Sequence, residues 1–218
     1  MTTPSPTTHP AHPHPAPQSP PPRSRRRSAV GLVAAPMVLV CAVVAVRSSG
    51  DGDSRPLEGR PRVTDTRAGL SYAVPEGWTH DPAKDKDLID AFTSRIGTAG
   101  SGGPGPGGGS VVAGRAGQPV ARADLPRATE TAARSNAEFF FPDRPASVEE
   151  SRDTVVDGQP AHTTVLRVAG EEGTARVEMT LITVHGERTS FLLGVTTGTE
   201  DPQVTADIEA VVGSTTAS

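Results

Sequence analysis

The chain has 218 residues, a formal net charge of −4 and a single cysteine. One cysteine excludes an intramolecular disulfide and a cysteine-built zinc site. The acidic balance excludes the basic surface on which nucleic-acid binding rests.

Residues 1–28 are Pro, Ser, Thr, His and Arg with almost no apolar side chains. Such a segment cannot bury enough surface to offset the entropy of ordering it, so it is predicted to be a disordered, partly polyproline II tail. His9, His12 and His14 lie in it and read as low complexity rather than as a metal site. The tail carries four arginines and no acid, so a chain at −4 leaves −8 for the rest.

Residues 29–46, AVGLVAAPMVLVCAVVAV, carry no charge. At ~1.5 Å per residue a helix there spans about 27 Å, close to the ~30 Å hydrocarbon core of a bilayer. Arg25, Arg26 and Arg27 abut the run on its N-terminal side, which predicts a cytosolic N-terminus by the positive-inside rule. Arg47, Arg55, Arg60 and Arg62 follow on the other side but are dispersed. A cleaved signal peptide is the competing reading. The run exceeds the usual 7–15 residues of a signal, and Val43-Val44-Ala45 is a mediocre cleavage site, so the anchor is preferred. Residues 47–61 read as a flexible stalk, and 62–213 as an extracytoplasmic domain ending in a polar tail, 214–218.

Within the domain, Val63–Thr66 and Leu70–Val74 are predicted strands, the second alternating apolar and small residues. Trp78, the only tryptophan, reads as a core anchor. Asp81–Asp90 is charged. Asp85, Asp87 and Asp90 evoke a calcium loop, but its glycine and closing glutamate are missing. Leu88 and Ile89 are placed on a short helix, and Ala91–Ile96 on a strand. Residues 97–109 form a glycine-proline loop. Gly103, Gly105 and Gly108 fit GxGxxG only as any glycine tract does, and the prolines remove amides that would cradle a phosphate. Ser110–Gly114 returns as the second strand of a hairpin.

Asp124–Phe141 is the strongest soluble helix. Asp124 is predicted to cap it, Pro126 suits its first turn and Pro142 stops it. Its buried face is read as Leu125, Ala128, Ala132, Ala133, Asn136, Phe139 and Phe140, with the Phe139–Phe141 triplet in the core. Four strands follow: Val148–Val155, Pro160–Val168, Thr174–Val184 and Thr189–Thr196. Asp157-Gly158 marks a hairpin between the first two. Val177, Met179 and Leu181 share one face, as do Phe191, Leu193 and Val195, while Ile182 and Val184 take the other, so part of the sheet is covered on both sides. Asp201-Pro202 opens a last helix with Val204, Ile208, Val211 and Val212 inward and Gly213 at its end.

GLSYAVPEGW at 69–78 and VVDGQPAHTTVLRV at 155–168 resemble the PsbP/Mog1-like α/β/α sandwich. Leu70, Tyr72, Val74, Pro75, Gly77 and Trp78 match the opening phrase of its envelope members, and Asp157, Gly158 and Ala161 match its turn. The resemblance covers 63–213. It implies an α+β class, an antiparallel sheet with flanking helices, in a bacterial, actinobacterial-type, membrane-anchored envelope protein. Arginine far in excess of lysine, with abundant Ala, Gly and Pro, agrees with a GC-rich bacterial genome. The family's roles are diverse, so the fold does not fix the function.

The chain contains no GxSxG, HExxH, GxxxxGK[ST] or CxxC. His80, His162 and His185 read as structural or exposed, and Glu149-Glu150 and Glu171-Glu172 as solvated. No catalytic, cofactor-binding or metal-binding residues are therefore assigned, and no cofactor. The leading expectation is a non-enzymatic, single-pass envelope protein. Its partners would be the bilayer, through residues 29–46, and an envelope protein or cell-wall component, with no nucleic acid. The alternatives are an accessory component of a secretion or envelope-assembly machine, a secreted protein, and a hydrolase with dispersed catalytic residues.

Overall fold

The computed structural model describes residues 56–89, 91–99, 108–170, 173–184, 188–198 and 201–218. Contacts divide the chain into residues 1–49 and 50–218, and the described residues all belong to the second unit. The predicted tail 1–28 with His9, His12 and His14, the predicted transmembrane helix 29–46 and stalk residues 47–55 lie outside the described residues. So do Asp90, loop residues 100–107, Glu171, Glu172 and His185. No helix among the described residues is long and apolar enough to cross a membrane.

The domain is α+β, built mostly of antiparallel sheet. Its elements are β1 (Arg62–Asp65), β2 (Leu70–Ala73), β3 (Trp78–His80), β4 (Phe92–Thr98), β5 (Gly109–Arg115), α1 (Leu125–Phe140), β6 (Ala146–Val156), β7 (Gln159–Val168), β8 (Ala175–Val184), β9 (Arg188–Thr196), α2 (Pro202–Ser214) and β10 (Thr216–Ala217). A seven-stranded sheet has the order β3-β4-β5-β9-β8-β7-β6, and a three-stranded sheet the order β1-β2-β10. The run from β6 to β9 is the expected meander. Asp157 and Gly158 both have positive φ, 50° and 74°, the backbone of a two-residue turn whose twist matches that of the flanking strands. That turn sets Val156 opposite Gln159 and Asp153 opposite His162.

Alternation along β8 and β9 buries both faces of the large sheet. On one face Val177, Met179, Leu181, Leu193 and Val195 meet α1 through Leu125, Ala133, Ala137 and Phe141. On the other, Ile182, Val184 and Leu192 meet the small sheet and the Val204, Ile208 and Val211 stripe of α2. The second covering layer is thus a small sheet plus one helix, where the α/β/α expectation placed helices alone. Gly194 lets α2 approach: a Cβ built there would stand 2.4 Å from Ile208 Cγ2. The small sheet is fastened to β4 by a buried polar chain. Asp65 accepts from Ala68 N at 2.9 Å, from Ser94 Oγ at 2.6 Å and from Thr93 Oγ1, and Ser94 Oγ bonds the Tyr72 hydroxyl at 2.8 Å. Burial pushes the Tyr72 phenol well above its ordinary range, so it stays protonated.

Several local expectations are corrected. A single 3-10 turn, Asp85–Asp87, replaces the short helix, and Leu88 is already extended. Asp124 sits at the start of α1 in helical geometry and makes no capping bond, because a 3-10 turn, Arg122–Asp124, leads into the helix. Asp201 does cap α2, accepting from Gln203 N at 2.9 Å. That helix runs one residue past Gly213, and the polar end pairs with β2 as β10 instead of trailing as a tail. The buried stripe of α1 is Leu125, Thr129, Ala133 and Ala137, continued by Phe141. Phe139 is not in the core but 61% exposed.

Candidate functional site

Seven strands at ~4.8 Å spacing put about 29 Å between the outermost pair, and one helix is only ~10 Å wide. α1 packs on β6, β7 and β8. The β4–β5 end of the same face is left to short segments. The Asp85–Asp87 turn is held by Asp85, whose Oδ2 pairs with His80 Nε2 at 2.9 Å and whose Oδ1 accepts from Arg95 N at 3.1 Å. This turn releases Leu88 and Ile89 as one wall, with Ile89 O accepting from Phe92 N at 2.8 Å. The end of α1 supplies Phe139 and Phe140 as the opposite wall. Between them lies a cavity of about 210 Å³ floored by Phe92, Val112 and Val195. Among the described residues, Phe139 at 61% and Ile89 at 52% exposure are two of the few large apolar side chains left in water.

The apolar cavity does not end blindly. Asp87, Leu88 and Arg95 also line a polar hollow of about 620 Å³ whose other walls include Thr79, Asp81, Lys84 and Thr98. An oily slot therefore adjoins a hydrophilic one across a single shared rim. The charged stretch 81–89 contributes to both. Among the described residues no group of three His, Cys, Asp or Glu side chains is placed to hold a metal ion.

His80 is spent on Asp85. His162 is buried on β7 and engaged at both ring nitrogens: Nδ1 lies 2.8 Å from Asp153 Oδ1 and Nε2 lies 2.9 Å from Ser151 Oγ. The sequence assembled no Ser–His–Asp set, but the β6–β7 register does. The signal was present in the Asp157-Gly158 turn, because counting back from it pairs Asp153 with His162. Thr164, the register partner of Ser151, is buried with its Oγ1 making no hydrogen bond.

On the opposite sheet face Glu178 is 2% exposed. Its Oε2 meets Arg176 Nη1 at 3.3 Å, and its Oε1 has no hydrogen-bond partner. Burial pushes its carboxyl up to about 7, against the pull of Arg176. Arg176 also reaches Glu209 of α2 at 3.3 Å.

No family model matches the chain, and no curated protein matches it. Solved structures do. Cyanobacterial PsbP (CyanoP) from Synechocystis sp. PCC 6803 is 18% identical with a TM-score of 0.53, covering 72% of this chain and 92% of its own. The Ran-binding protein Mog1p of Saccharomyces cerevisiae is 13% identical with a TM-score of 0.52, covering 75% and 96%. At such identities the likeness concerns architecture, and the domain has the PsbP/Mog1-like fold.

Proposed function

We propose that this chain is a membrane-tethered binding module whose outer domain takes a hydrocarbon chain of a bilayer amphiphile into the groove between Leu88–Ile89 and Phe139–Phe140. The observation that carries the reading is the junction of a 210 Å³ apolar cavity with a polar hollow at Asp87, Leu88 and Arg95. That is the layout an amphiphile requires, since its tail gains from leaving water while its head must keep polar partners. The tether favours the same occupant. The uncharged run 29–46, preceded by Arg25–Arg27, supports a single-pass anchor with a cytosolic tail and an extracytoplasmic domain. Leu57 packs on the domain core, so only residues 47–55 lie between the run and the folded domain; they reach at most about 30 Å at ~3.3 Å per residue, which keeps the domain beside a supply of acyl chains.

Two measurements test this. Protease added to intact cells should cut the domain and spare residues 1–28; the reverse pattern rejects the topology. A photo-crosslinkable phospholipid incorporated into membranes should label groove residues, and Phe139→Asp should remove most of that label. Labelling that avoids the groove, or that ignores the substitution, rejects the ligand assignment.

A further inference from the structure

We propose that Ser151 is an activated nucleophile, with His162 as its general base and Asp153 as a positioning residue, and that the β6–β7 hairpin accepts acyl groups from small activated esters. This goes beyond binding and lies at the opposite edge of the large sheet from the groove.

Side chains two apart on a strand share a face, so Ser151 and Asp153 project together, and the turn register sets Asp153 directly across from His162. The ring then bridges them, at 2.8 Å to the acid and 2.9 Å to the serine. An ionised carboxylate only accepts, so Nδ1 carries the hydrogen. The lone pair of the neutral ring then sits on Nε2, facing the Ser151 hydroxyl. That is the tautomer in which an imidazole can take a serine proton. The ring is 5% exposed and held in place, whereas Ser151 is open to solvent. A cavity of about 740 Å³ between Arg122–Pro126 and the hairpin adjoins Asp153. β6 is the outermost strand, and an edge strand turns alternate backbone N–H groups outward, where they can donate to a developing oxyanion.

In the step itself Ser151 Oγ bonds to the ester carbonyl carbon as its proton passes to His162 Nε2 and the carbonyl electrons move to oxygen. Collapse breaks the bond to the leaving alcohol, which takes the proton from Nε2. Water then repeats the sequence, releasing a carboxylic acid and restoring the serine. Asp153 is 89% exposed, so its charge is hydrated and its help is weaker than that of a buried acid.

The test uses full-length protein with p-nitrophenyl acetate, following phenolate release and mapping the acetyl group by peptide mass spectrometry. Acetylation should map to Ser151 and vanish in Ser151→Ala. His162→Gln should slow it at least ~100-fold. Because His162 is buried, the exposed Asp153→Asn serves as the variant that spares packing: it should slow acylation roughly 10-fold, well short of the ~10⁴ seen for a buried acid, with Asp153→Glu restoring most of the rate. Acetyl groups placed elsewhere, or a rate unchanged in Ser151→Ala or in Asp153→Asn, would overturn the proposal.

Discussion

Replacing Glu178 by Gln should stabilise the domain above pH 7 and leave it unchanged near pH 4.5. Glu178 is buried with one carboxylate oxygen unpaired, and its single bridge to Arg176 is 3.3 Å long. Its carboxyl titrates near 7 in the folded chain, against an ordinary value of 4.5. Below 4.5 both folded and unfolded chains hold the proton and stability does not respond. Between 4.5 and 7 only the folded chain holds it, so stability falls as pH rises, by ~1.4 kcal/mol per pH unit. Above 7 both are ionised and the loss levels off at about 3 kcal/mol. Glutamine cannot ionise, so the difference between variant and parent should grow from near zero to about 3 kcal/mol over that window. Urea unfolding followed by fluorescence measures it, because the single tryptophan, Trp78, is buried in this domain and donates to Asp207 at 2.9 Å. A variant less stable than the parent at pH 8 would show that the bridge to Arg176 outweighs the cost of burial, and the reasoning would fail.

Gly194→Ala puts a methyl 2.4 Å from Ile208 Cγ2, so α2 must shift, and unfolding should show a loss of ~1–3 kcal/mol. Thr164→Val removes a buried hydroxyl that bonds to nothing and should gain about 1 kcal/mol. Calorimetry would register that gain as a rise of roughly 2–4 °C in Tm. Phe139→Ala and Phe141→Ala, two residues apart, should part company: the buried Phe141 costs ~3–5 kcal/mol on truncation, whereas the exposed Phe139 should cost under ~1 kcal/mol. Equal losses in urea melts would mean that the end of α1 has been misplaced.

The meander could be read from sequence because each of its strands carries its own pattern. Val177, Met179 and Leu181 against Ile182 and Val184 state the two faces without reference to any other segment. The stripe of α1 was harder. Leu125, Thr129, Ala133, Ala137 and Phe141 recur every four residues, but Thr129 breaks the apolar pattern. It is buried because its Oγ1 donates to Leu125 O at 2.7 Å, a bond inside its own helix that composition does not reveal. β3 and β10 were missed because three and two residues are too short to show an alternation; β10 is held by backbone pairing, including Ser218 N to Gly69 O at 3.0 Å. The groove was invisible for a different reason. Leu88 and Phe92, Val112, Phe140 and Val195 come from four separate stretches, and no local periodicity links them.

Strand order explains why the groove falls where it does. α1 follows β5 and precedes β6, and those strands stand at the third and the last places of the order β3-β4-β5-β9-β8-β7-β6. The chain must cross from β5 over β9, β8 and β7 to reach the far edge, and a crossing helix shields only the strands it passes. β3 and β4 lie on the other side of β5, so this connection never covers them. On the opposite face the path differs: α2 follows β9 and leads to β10 beside β2, which lays the helix over β5 and β9 and against β2 of the small sheet. One face is thereby closed by topology and the other left open at one end. There the β4–β5 hairpin, through Gly108, Gly109 and Ser110, reaches the mouth of the cavity. The Leu88–Ile89 segment is the wall opposite Phe139 and Phe140, which places the charged stretch before it at the rim that the apolar cavity shares with the polar hollow.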